Sequence, residues 1–143
     1  MKGECLCGEV KFSVKGELPN FYQCHCSLCR KTTGSSANAA TFVSEECFEW
    51  ISGQANIRSF QKPTGYRNDF CSACGSSVPN KLRDTELVWI PAGLLDDETG
   101  SCVAVHLHVN SSAAWERVSC NSVRLGEGPD SLKSLHAALQ RIS

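Results

Sequence analysis

Hydrophobic residues fall in short segments rich in Val, Phe, Trp and Thr, bounded by Gly, Pro, Ser and Asn as strands tend to be. Val10, Phe12 and Val14 alternate with polar neighbours, which predicts a half-buried strand. Leu87-Val88-Trp89-Ile90 is a short apolar run stopped by Pro91. Val103, Val105, Leu107 and Val109 form a period-2 stripe, placing Cys102, Ala104, His106 and His108 on the other face. Helical spacing is confined mostly to the end, where Leu132, Leu135, Leu139 and Ile142 recur after the start signal Pro129-Asp130-Ser131. The pattern predicts a mainly β fold with a short C-terminal helix. The apolar stripe of that helix docks on the body or on a second subunit, so an oligomer formed through it is one expectation.

At 143 residues the chain is read as one domain spanning 1–143, long enough to bury roughly two-thirds of its unfolded surface. A formal net charge of −1 gives no general drive toward nucleic acid or an anionic membrane. No apolar run approaches the ~20 residues a membrane span needs. Met1-Lys2-Gly3-Glu4-Cys5 lacks the apolar core of a secretory signal, so a cytoplasmic location is expected. In a reducing compartment, clustered thiols serve as metal ligands or reactive groups more often than as disulfides.

That matters because seven of the ten cysteines fall in three tight clusters: Cys5-Leu6-Cys7-Gly8, Cys24-His25-Cys26-Ser27-Leu28-Cys29 and Cys71-Ser72-Ala73-Cys74-Gly75. Four thiolates close a tetrahedral zinc site, whereas three leave a position open. Seven divides into four and three, so two zinc ions per chain are expected. If Cys5 and Cys7 lie in extended backbone, both face one ion while Leu6 turns inward. Cys71 and Cys74 form a Cys-x-x-Cys-Gly knuckle in which Gly75 takes positive φ. Cys5, Cys7, Cys71 and Cys74 thus make a structural site, which can contribute on the order of 10 kcal/mol to folding.

Cys24, Cys26 and Cys29 lie within six residues, so one loop can supply a tripod of thiolates for an open site. His25 is either a fourth ligand or a partly exposed or hydrogen-bonded histidine, and its side chain should point away from the face that Cys24 and Cys26 share. Arg30 and Lys31 follow at once, either as ordinary solvated surface or as an attraction for an anionic substrate. Three thiolates give a zinc site a formal charge of −1, which acidifies bound water less than three histidines do. The soft environment suits a fourth sulfur, so a small thiol or thiol adduct fits better than ordinary hydrolysis.

The order Cys-x-Cys-Gly, Cys-His-Cys-x-x-Cys-Arg-Lys and Phe-Cys-x-x-Cys-Gly resembles the glutathione-dependent formaldehyde-activating enzyme family, also called centromere protein V-like. The likeness extends through Gly93-Leu94-Leu95-Asp96-Asp97 and His106-Leu107-His108-Val109-Asn110-Ser111 to Trp115, and covers roughly residues 3–116. The resemblance implies an Mss4-like fold of coiled β-sheets, with residues 117–143 as a C-terminal extension. It implies structural zinc on Cys5, Cys7, Cys71 and Cys74, and active-site zinc on Cys24, Cys26 and Cys29. It also implies carbon–sulfur lyase chemistry, the formation of S-hydroxymethylglutathione from formaldehyde and glutathione. Small polar residues at Thr33–Asn38 stand where the family often has an aromatic, a departure that bears on glutathione as the thiol.

The other readings are a non-catalytic zinc module for protein interaction and a thiol redox sensor built on the exposed cluster. Cys47, Cys102 and Cys120 are expected to be small buried apolar residues. His106 is either a proton carrier or a group in a structural hydrogen bond. His136 needs no role, and Trp50, Trp89 and Trp115 are expected in the core or a pocket wall.

Overall fold

The computed structural model describes residues 1–96, 99–116 and 123–140. Its strands are β1 (Lys2–Glu4), β2 (Lys11–Val14), β3 (Phe21–Cys24), β4 (Asn38–Ser44), β5 (Phe48–Ser52) and β6 (Ile57–Gln61). These are followed by β7 (Arg67–Cys71), β8 (Asn80–Lys81), β9 (Leu87–Pro91), β10 (Val103–Leu107) and β11 (Val123–Arg124). The α-helices are α1 (Ser27–Thr33) and α2 (Leu132–Leu139). The fold is mainly β with a short C-terminal helix, as the alternating pattern predicts. Among the described residues no helix is long and apolar enough to cross a membrane.

The chain divides into two compact units that interleave in sequence. The first comprises Met1–Leu18 and Phe42–Gly100. There β1, β2 and β5 form an antiparallel sheet, and β6 pairs with β7 in antiparallel register from Ile57↔Cys71 to Gln61↔Arg67. Phe12, wholly buried, stacks on Phe48 with ring centroids 5.5 Å apart and meets Trp50 edge-on at 6.3 Å. Offset and edge-on aromatic pairs of this kind add to what burial alone contributes. A second core cluster gathers Cys5, Val10, Cys71 and Val78, with Trp50, Ile57, Cys74 and Leu94 packed against it. The Gly93–Asp96 segment joins β1, since Gly3 bridges Leu95 and the Asp96 N–H donates to the Lys2 carbonyl at 3.2 Å.

The second unit comprises Pro19–Thr41 and Ser101–Ser143. Here β10 lies between two parallel partners, β3 and β11. Parallel sheets are generally covered on both faces by packed elements, and Val105, His106 and Leu107 are all buried. The period-2 stripe therefore predicts the strand but not how deeply its histidine face is covered. The strand also ends before Val109, because His108 turns into the left-handed region at φ 55° and ψ 40°.

Helix α2 begins at Ser131, whose hydroxyl accepts from the Ser134 N–H while the Ser134 hydroxyl accepts from the Ser131 N–H. This reciprocal cap satisfies two otherwise unpaired donors. Leu135 and Leu139 are buried, and the Leu139 carbonyl accepts from the Asn20 N–H at 2.6 Å. The apolar stripe docks within the second unit; Ile142 lies outside the described residues.

Candidate metal centres

The first centre is built from two matching turns. The Gly8 N–H closes onto the Cys5 carbonyl at 2.9 Å and the Gly75 N–H onto the Cys71 carbonyl at 2.8 Å, each glycine at positive φ. Cys5 is 2% exposed and Cys71 fully buried, while Cys7 is exposed. Because Cys5–Gly8 is a turn and not extended backbone, Leu6 sits at its tip, 87% exposed, instead of facing inward. Its N–H donates to the Ser76 hydroxyl at 3.1 Å and so ties one turn to the other.

The four ligand atoms of Cys5, Cys7, Cys71 and Cys74 lie within 4.8 Å of one another. Cys5 and Cys7 sulfurs are 3.5 Å apart, and Cys7 and Cys71 sulfurs 3.8 Å. Four sulfurs at ~2.3 Å from one tetrahedral ion stand about 3.8 Å apart, so this donor set fits zinc. The thiols also divide their protons unequally. Contact with Ser76 lowers Cys74 to about 6. For Cys7 the largest influence, a backbone contact with Glu9, is downward, but desolvation and the neighbouring thiols outweigh it and push the group up to about 12.

The second centre joins the end of β3 to α1. The thiols of Cys24, Cys26 and Cys29 also lie within 4.8 Å of one another. Cys24 is buried at the strand end, and Cys26 caps α1 by accepting from the Cys29 N–H at 3.5 Å. The ligand segment is thus strand, cap and helix, where the spacing predicts a plain loop. A seven-residue helix without a buried side chain leaves no apolar period to read. The hydrogen bond with Cys29 is the main cause lowering Cys24 to about 6, with His108 contributing, and its counterpart raises Cys29. A thiolate beside a protonated partner is a donor set suited to a soft cation.

His25 is 1% exposed and stands outside the tripod cluster. Its Nδ1 lies 2.7 Å from Glu116 Oε1, and its Nε2 lies 2.8 Å from His106 Nδ1. The approach to Glu116 is bent, and both His25 Nδ1 and Glu116 Oε2 are buried with no well-aligned hydrogen-bond partner. His106 is itself buried, and desolvation, followed by the electrostatic effects of His25 and Arg124, lowers its pKa against a smaller opposing effect of Glu116. Arg30 is half-buried with its Nε enclosed, whereas Lys31 is exposed.

Several residues depart from expectation. Trp115 is 71% exposed rather than part of a core or pocket wall, although Trp50 packs in the core. Cys102 is exposed, its thiol 3.7 Å from Asn20 Oδ1, and Cys47 is half-buried. Neither is the buried apolar cysteine expected, and Cys120 and Asp97 lie outside the described residues. Sequence reading misses Glu116, whose role depends on a partner far along the chain. It also misses the left-handed backbone of His108, which a non-glycine residue adopts only when its surroundings enforce it.

Comparisons with known proteins agree with this arrangement. The model of the family described as "Glutathione-dependent formaldehyde-activating enzyme" matches residues 1–121. A protein of Halomonas elongata named "Putative glutathione-dependent formaldehyde-activating enzyme" is 34% identical over 128 residues, covering 82% of this chain and 80% of its own. The crystal structure of a Rhodobacter sphaeroides protein is similar with a TM-score of 0.56 and 27% identity, over 68% of this chain and 89% of that one. With seven cysteines gathered into two clusters that could each hold a metal ion and a match running through both, the chain belongs to the glutathione-dependent formaldehyde-activating enzyme family.

Proposed function

We propose that this protein is a zinc-dependent carbon–sulfur lyase that makes or breaks a thiol adduct such as S-hydroxymethylglutathione. The observation that carries the reading is the convergence of three thiols, Cys24, Cys26 and Cys29, with His25, which lies between two of them in sequence, paired to the buried His106. Cys5, Cys7, Cys71 and Cys74 would hold a second zinc that fixes the fold of the first unit. Zinc on the tripod supplies a soft Lewis acid for a thiolate sulfur.

The chain's own residues supply the rest. Arg30 and Lys31 favour an anionic thiol, with Lys31 in solvent and Arg30 partly enclosed. In the forward direction a carbon–sulfur bond forms as the carbonyl π bond of formaldehyde opens. The thiol's proton ends on the new hydroxyl oxygen. We assign its transfer to His106, whose burial disfavours the charged ring and leaves it neutral, able to take up a proton, near neutral pH. The protein is taken to act in the cytoplasm, where reduced small thiols keep such a site supplied.

The test is magnetisation-exchange NMR on ¹³C-formaldehyde and glutathione at equilibrium with the adduct. Added protein should speed the exchange, and Cys26→Ser should abolish the acceleration. No acceleration with glutathione or any other small thiol would exclude the lyase and leave a zinc-binding interaction module.

A further inference from the structure

We infer that Glu116 is a positioning residue that organises the tripod through His25, an inference that rests on the reading of Cys24, Cys26 and Cys29 as metal ligands. His25 stands between two of those ligands in sequence, so a ring anchored in place fixes the backbone that carries both neighbouring thiols. It is held at three points: its N–H donates to the Leu107 carbonyl at 2.9 Å, Nε2 meets His106 at 2.8 Å, and Nδ1 meets Glu116 at 2.7 Å. With 1% of the residue exposed, water cannot replace any of these partners without opening the unit.

A bare nitrogen and a carboxylate oxygen repel at 2.7 Å, so a proton lies between them, and we place it on Nδ1 although the approach is bent. With one proton on each ring, Nε2 of His25 accepts and His106 donates from its own Nδ1. Free neutral histidine carries no such constraint. Glu116, 12% exposed in its side chain, therefore sets the state of both rings although it is remote from the cysteines in sequence. Groups that orient a metal-binding segment in this way influence affinity on the order of 10–100-fold when removed.

The experiment uses the full chain loaded with ¹¹³Cd²⁺, whose resonance separates a four-sulfur from a three-sulfur site, and a competing chelator to rank affinities. Glu116→Leu keeps the volume but cannot accept from Nδ1; it should weaken the three-sulfur site by on the order of 10–100-fold and leave the four-sulfur site unchanged. Glu116→Gln keeps an acceptor oxygen and should recover most of that loss. Long-range ¹H–¹⁵N spectra of the unaltered protein at alkaline pH should show both rings protonated on Nδ1, a result that does not depend on any variant folding. Equal weakening of both sites, no weakening of either, or a His25 protonated on Nε2 would overturn the inference. Cadmium bound at only the four-sulfur site of the unaltered protein would overturn the proposed function and this inference together. Unaltered affinity in Glu116→Leu would overturn the inference alone.

Discussion

The sulfur of Cys7 lies 3.8 Å from that of Cys71, although 64 residues separate them in the chain. The two turns that carry them come from the two separate stretches of chain that make up the first unit. An ion held there links the N-terminal strand to the end of β7, within a cluster that is otherwise aliphatic and aromatic.

From that linkage the two centres should respond differently to loss of one ligand. Cys71→Ser removes a fully buried ligand and should unfold the first unit, with a loss on the order of the ~10 kcal/mol such a site contributes. Cys26→Ser should leave a folded protein with about one zinc instead of two. Elemental analysis with thermal denaturation reads both, and identical melting of the two variants would contradict the division of roles.

The turn glycines give a second, smaller test. Gly75 sits at φ +78° with open space where a Cβ would go, so Gly75→Ala should cost about 1–2 kcal/mol from backbone strain alone. At Gly53 a Cβ would lie 2.2 Å from the Glu9 carbonyl oxygen, so Gly53→Ala should cost more. Chemical denaturation ranks the two, and the reverse order would be inconsistent with the packing described.

Acid sensitivity follows from the tripod once its ion is removed and the structural ion kept. Cys24 is lowered from 9.0 to about 6, so its contribution to stability is present in full above pH 9 and lost as pH falls through about 6. His106, also lowered, acts in the same direction below its ordinary 6.5. Cys29 is raised, so its contribution is present below pH 9 and is lost only at higher pH. Stability should therefore rise between pH 6 and pH 9, and Cys24→Ser should flatten that rise. An unchanged slope in the variant would show that Cys24 does not carry it.

The cysteine arithmetic was legible because ligand spacing is local: two thiols one or two residues apart declare a metal turn before any fold is known. The glycines at Gly8 and Gly75 belong to the same local signal. Leu6 was misread because a Cys-x-Cys pair can converge from a turn as well as from a strand, and only the turn exposes the middle residue. Helix α1 left no trace because it buries no face. His106 was visible as a chemical group, but its enclosure depends on what packs over the face of β10, including His25 from 81 residues away. Glu116 was not visible at all, since what makes it informative is a contact with His25 that folding alone creates.

Charge near the tripod should discriminate among thiols. Neutralising Arg30 and Lys31 together should weaken an anionic thiol relative to a neutral one by about 1 kcal/mol, the scale of partly exposed charges. Competition between glutathione and an uncharged thiol reads the difference, and equal weakening of both would place the two cations outside recognition.

The central claim is that the tripod of Cys24, Cys26 and Cys29 holds an ion able to take a further sulfur. Cobalt substitution tests it most directly, because sulfur-to-cobalt charge transfer grows with each thiolate bound. Glutathione added to the cobalt protein should strengthen that band, and should do so less at low pH, where thiols keep their protons. A band unchanged by glutathione and by every other small thiol would contradict the account.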